Sequence, residues 1–90
     1  MGKLDEAENA LRHGVTILEG AIEKNHPRIA GALNNLAVVC ARRGKIREAA
    51  ALYKRVLRIL PRGSQPSIPS RAVVSANYEK LRAAQRARSN

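Results

Sequence analysis

The sequence has no tryptophan or phenylalanine, only two tyrosines, and a single cysteine and methionine. Without large aromatic rings a core must be assembled from Ala, Leu, Ile and Val, a set that suits close helix packing and suits a β-sandwich poorly. One cysteine makes no internal disulfide. Cys40 falls on an apolar stripe, where an unpaired cysteine serves as a small core side chain. The chain therefore suits a reducing compartment, and we expect it in the cytoplasm. Long apolar runs are missing as well. The longest uncharged stretch, Ile29 to Ala41, has 13 residues including two asparagines and is too short to span a bilayer. Asp5, Glu6 and Glu8 interrupt the amino terminus before an apolar run begins, so no signal peptide is visible. Two histidines, one cysteine and scattered carboxylates supply no nucleophile with a base, no metal-ligand spacing and no phosphate loop. An enzyme is not expected, nor is a cofactor or a metal.

Acidic residues are scarce over most of the chain. The formal charge is +10, and its distribution is uneven. Met1 to Asn25 carries three basic and five acidic residues, net −2, whereas His26 onward carries 14 basic residues against Glu48 and Glu79 alone, net +12. Such a field favours acidic partners without choosing among protein, nucleic acid and membrane surface.

What the chain has in quantity is helical periodicity. Ninety residues make at most one domain with a thin core. Between His26 and Pro61, Ile29, Ala30, Leu33, Leu36, Ala37, Cys40 and Ala41 recur at spacings of three and four. After Gly44 and Lys45 the pattern resumes through Ile46, Ala49, Ala50, Tyr53, Val56, Leu57 and Leu60. A glycine that takes positive φ ends a helix, so the stretch reads as an αα-hairpin reversing at Gly44.

The spacing predicts four helices in an all-α chain: about Leu4 to Glu23, Pro27 to Arg43, Lys45 to Leu60 and Arg71 to Arg86, with Arg88 to Asn90 frayed. Asn25 is the candidate N-cap of the second helix, with His26 in a turn or capping role and Pro27 in its first turn. Gly14 and Gly20 weaken the first helix, and Gly14 suggests that another helix approaches closely there. His13 is expected to be solvated. RGSQPSIPS, residues 62–70, is a loop by composition, with Ser64, Ser67 and Ser70 conceivable phosphorylation sites beside arginines. On the last helix Val73, Val74, Asn77, Tyr78, Leu81 and Ala84 share one face, with Lys80, Arg82, Gln85 and Arg86 turned away.

The chain also repeats itself. GKLDEA at Gly2 to Ala7 returns as GKIREA at Gly44 to Ala49, an offset of 42 residues, and a period of that length points to stacked repeats. These residues resemble the tetratricopeptide repeat. Leu33, Leu36 and Ala37 fit its first helix, and Ala49, Tyr53 and Pro61 fit its second. Val56 is larger than the small residue usual there, and Cys40 stands where an aromatic is common. His26-Pro27, Leu33 to Ala37, Gly44-Lys45, Glu48-Ala49 and Leu52 to Arg55 are similar to the kinesin light chain and nephrocystin type of repeat. The resemblance covers one whole repeat, 26–61, preceded by the second helix of another, 2–25, within a helical block at 1–61. Residues 71–90 then read as a degenerate first helix or a capping helix, since arrays need their last face closed.

The resemblance implies a non-catalytic protein-protein interaction scaffold whose first helices line a concave groove. Asn34, Asn35, Val38, Arg42 and Arg43 are the candidate peptide-binding residues. Paired asparagines offer donors and acceptors to the main chain of an extended peptide, and the arginines suit a carboxylate. Gly31 adds a place where a ligand backbone comes close. The expected partner is an acidic peptide or protein. The alternative is a basic helical nucleic-acid binder, drawing on the +12 segment for phosphate contacts; base stacking, however, wants exposed aromatics, and Tyr53 lies on a core stripe. The first helix lacks its usual hairpin partner, which predicts self-association through its open face or a place in a longer protein.

Overall fold

The computed structural model of the chain describes residues 2–23, 26–60 and 69–89. They form four helices, α1 (Gly2–Ala21), α2 (Pro27–Arg42), α3 (Ile46–Ile59) and α4 (Arg71–Ser89), with no strand among the described residues. The helices pack mainly on their sequence neighbours, in the order α1, α2, α3, α4, making a thin body of 40 × 35 × 16 Å. An array in which each element meets the next has no central core. Its interior is a seam that runs from one interface to the next.

α2 begins where Pro27 supplies a helical φ and lacks the N–H that a first turn leaves unpaired. Its N-cap is His26, whose Nδ1 accepts the Arg28 N–H at 3.1 Å. That bears out the capping role read for His26, while Asn25 lies outside the described residues. The helix closes in a Schellman arrangement. The Lys45 N–H donates to the Cys40 carbonyl at 2.9 Å and the Gly44 N–H donates to Ala41 at 3.1 Å. Gly44 takes φ +79°, the one left-handed residue among those described, and the chain reverses there into α3 as the sequence predicts.

Burial follows position in the array. α2 has a neighbour on each side and buries Ile29, Ala30, Leu33, Leu36, Ala37 and Cys40. α3 buries Ala49, Ala50, Tyr53 and Val56. α1 buries only Glu8 and Val15, and α4 only Val74 and Leu81. Val73, read as part of the packed face of α4, is 55% exposed, and Ala84 is exposed too. A helix with one neighbour buries a narrow stripe, and Val73 stands a full 100° step from Val74. α4 also runs through Ser89, about a turn beyond the expected end. At its start, Arg71 Nη1 donates to the Leu57 carbonyl at 2.7 Å and the Leu60 carbonyl at 3.2 Å. Those carbonyls belong to the unpaired C-terminal end of α3, so one side chain joins two helices and satisfies acceptors that the helix leaves open.

Gly14 differs from expectation. A Cβ placed there would meet nothing within 4 Å, so no other helix among the described residues approaches closely at that point. Gly31 likewise faces open space.

Candidate functional site

A groove of about 290 Å³ runs between α2 and α4 over the side of α3. α2 contributes Val38, Ala41 and Arg42, and α4 contributes Asn77, Lys80, Leu81 and Ala84. Tyr53 of α3 forms its floor. The floor is fixed by packing, since Tyr53 is 3% exposed and lies in the continuous core with Leu36, Val56 and Val74. A side-chain hydrogen bond links the Tyr53 hydroxyl to Asn77; burial pushes that phenol up from its ordinary pKa, and the bond from Asn77 works against the shift. Its rims are basic. Arg42 and Lys80 are exposed and have no ion-pair partner among the described residues. The walls between them are mostly apolar. A site with that layout takes an apolar side chain on its floor and negative charge at its edges.

The structure brings together two of the five candidate residues, Val38 and Arg42. Asn34 precedes Val38 by four positions and Ala41 by seven, so it extends the same side of α2 by one turn. It is half-buried, and its Oδ1 is enclosed without a hydrogen-bond partner. Such an acceptor is costly to leave unpaired. Asn35 is exposed and does not line the groove. Arg43 turns elsewhere, and the carboxylates it meets are the chain's own. Its Nη1 lies 2.6 Å from Glu8 Oε1 and 2.9 Å from Asp5 Oδ1.

Glu8 is the centre of a second polar site, where α1 meets the α2–α3 turn. It is 2% exposed. Lys45 Nζ donates to its Oε2 at 2.8 Å, Arg12 Nε to the same oxygen at 2.7 Å, and Arg43 to Oε1. The hydrogen bonds from Lys45, then Arg12 and Arg43, outweigh burial and hold the carboxyl at a pKa of about 2. The Arg12 guanidinium also pairs with Glu48 and lies 3.8 Å from Cys40 Sγ. Glu8, Cys40 and Glu48 hold their ligand atoms within 4.8 Å of one another, the spacing of a metal site. The centre of that set is already taken by Arg12 Nη2, and burial pushes the Cys40 thiol up from its ordinary pKa, away from the thiolate a metal would need. The junction is an ion-pair lock between helices. Arg55 and Glu19 at 2.6 Å add a tie between α3 and α1.

Sequence reasoning missed Asn77 and Lys80 as groove residues and Glu8 as a buried one. The repeat carried a signal for the last. At the offset of 42, Glu8 aligns with Ala50, which is buried in α3, so a carboxylate occupies an inward-facing position. Asn77 aligns with Asn35 at the same offset, yet only Asn77 lines the groove.

Four helices packed in sequence order and a 42-residue period in the chain give the architecture of stacked helical repeats. The family model of the tetratricopeptide repeat matches residues 1–62. The chain belongs to the tetratricopeptide repeat family. No curated relative matches it. The tetratricopeptide repeat is a non-catalytic interaction fold, so this protein is a protein-protein interaction module with protein partners. No helix among the described residues is long and apolar enough to cross a membrane.

Proposed function

We propose that the groove between α2 and α4 binds an extended acidic peptide segment of a partner protein. The observation that carries this reading is the pair of unneutralised cations, Arg42 and Lys80, on either side of an apolar floor. By contrast Arg12, Arg43 and Arg55 pair with Glu8, Asp5, Glu48 and Glu19 within the fold. At the groove the charge is left for a ligand. Asn77 and Asn34 offer amide groups to a peptide main chain, which any sequence presents, while Arg42 forms charge-assisted hydrogen bonds with an Asp or Glu side chain. Asn35 lies on the exposed rim of the same helix and joins a ligand that extends past the cavity.

The kinesin light chain and nephrocystin type of repeat is supported by His26-Pro27, Leu33 to Ala37, Gly44-Lys45 and Leu52 to Arg55 as they stand in this chain. A reducing, cytoplasmic setting is supported by the buried unpaired thiol of Cys40. A nucleic-acid partner has less behind it. Tyr53 is buried, and the Tyr78 hydroxyl accepts the Arg82 guanidinium at 3.0 Å with that cation 5.7 Å from the ring centroid. Neither ring is free to stack on a base.

The test is fluorescence anisotropy with labelled peptides carrying one apolar residue between acidic ones, compared with versions in which Asp and Glu become Asn and Gln. Acidic peptides bind more tightly, and Arg42→Glu removes the difference. Equal affinity for both peptide sets, or binding untouched by Arg42→Glu and Asn77→Ala together, overturns the reading.

A further inference from the structure

α1 carries two stripes. One is buried, through Glu8 and Val15. The other, one residue earlier at each turn, is Ala7, Ala10, Gly14, Ile17 and Ala21, spaced three, four, three, four. Ala10, Ile17 and Ala21 are exposed, Ile17 at 57%, and Ala7 and Gly14 are half-buried. No charge interrupts this stripe. The repeat says what such a stripe does when it is covered. At the offset of 42, Ala7 and Gly14 align with Ala49 and Val56, both 0% exposed in α3, where α2 and α4 pack. The surface that α3 uses to hold its neighbours lies open on α1.

α4 presents the counterpart. Val73, Ala76, Lys80, Ala83 and Ala87 recur at the same three, four spacing, all exposed, and again each inner turn is one residue ahead of the buried positions Val74 and Leu81. The two open stripes therefore stand at the same rotation from the buried face of their own helix. Laid antiparallel, they meet with both buried faces on one side, so the pairing continues the existing layer. Large residues then oppose small ones: Lys80 lies across from Gly14, Ile17 from Ala76 and Val73 from Ala21. The missing Cβ of Gly14 leaves room for the Lys80 stem. Charge agrees. α4 holds five basic residues and one acidic, and of the four α1 carboxylates Asp5, Glu8 and Glu19 pair within the chain while Glu6 stays exposed. The antiparallel register brings the Arg86 and Arg88 end of α4 to the Glu6 end of α1.

We propose that the α1 stripe is covered by α4 of a second copy of this chain, completing an intermolecular helix pair of the kind α2 and α3 make within one copy. The two surfaces differ, so the contact is head-to-tail and grows into open chains or a closed ring. The contact adjoins the groove, since Lys80 lies in both.

Sedimentation velocity on the intact chain, with Ile17→Glu or Ala10→Glu blocking the α1 side and Ala83→Glu blocking the α4 side, tests it. Far-UV circular dichroism verifies that each variant stays helical, which these exposed positions allow. The wild type gains mass with concentration, and each variant alone stays at monomer mass. An equal mixture of an α1-side and an α4-side variant gives a species of twice the monomer mass, because one intact surface of each kind remains. A wild type that is monomeric at every concentration overturns the proposal, as does a mixture that stays monomeric. Association lost in Ile17→Glu but kept in Ala83→Glu also overturns it, since α1 would then pair with itself.

Discussion

Arg42 and Arg43 are adjacent in sequence, and one residue step of about 100° at the helix end separates two regions with opposite uses for positive charge. Arg43 faces the junction where Glu8 collects three cations, and its charge is spent within the fold. Arg42 faces the groove and meets no carboxylate among the described residues. A basic composition is therefore a poor guide to binding surface until the neutralised residues are set aside. Buried or half-buried ion pairs fix how helices dock, while unpaired exposed charge is available to a partner.

The largest effect is expected from breaking the junction at its centre. Glu8→Ala leaves Arg12, Arg43 and Lys45 close together without their shared acceptor, and the urea midpoint falls further than for any arginine variant. The pH dependence has a definite sign. Glu8 holds a pKa of about 2 in the folded chain against an ordinary 4.5, so its contribution is fully present above about pH 4.5 and is lost as the pH falls toward 2. Glu8→Gln flattens that part of the stability profile. A profile between pH 5 and pH 2 with the same slope in the variant would show that the lock is not what acid breaks.

Exchanging the two arginines sharpens the contrast. Arg42→Ala changes stability by no more than about 0.5 kcal/mol, as exposed substitutions usually do, and weakens an acidic peptide about tenfold, the loss of one charge-assisted hydrogen bond. Arg43→Ala does the reverse, lowering the unfolding midpoint with peptide affinity unchanged. The pair of measurements is thermal unfolding and anisotropy on the same two variants. Affinity that falls equally in both would mean that the regions are not separate. Lys80→Ala is a smaller case, since a flexible rim ammonium contributes about 0.5 kcal/mol, or roughly twofold in affinity.

How far the sequence could be read follows the same division. α2 and α3 each bury four or more residues, so their apolar stripes are broad and their ends carry explicit signals in His26-Pro27 and Gly44. The outer helices were harder. α1 and α4 each pack mainly on one neighbour, so many of their apolar residues have no packing role within the chain, and the contacts expected of Val73 and Gly14 are ones the fold does not make. The groove was legible in part. Periodicity places Val38 and Arg42 off the buried stripe, but which side of α2 is concave depends on where α4 crosses, and the segment joining α3 to α4 carries no periodic signal. The sequence alone therefore turns Lys80 away from the packed face and places Asn35 beside Asn34 among the groove residues. Glu8 needed a three-dimensional fact as well, the approach of the α2–α3 turn to α1.

Asn34 gives the smallest and most pointed prediction. Its Oδ1 is enclosed with no partner, and asparagine is a weak helix former, so two separate terms count against it in the free chain. Asn34→Leu removes both and is expected to raise stability by about 1 kcal/mol. If the amide is kept for a ligand's main-chain N–H, the same change weakens peptide binding, and stability and affinity move in opposite directions. Thermal unfolding and anisotropy on the one variant decide this. A gain in stability with unchanged affinity would confine the ligand to the turn between Val38 and Arg42. A loss of stability would mean that the amide holds the helix, and the extension of the groove along α2 would have to be withdrawn.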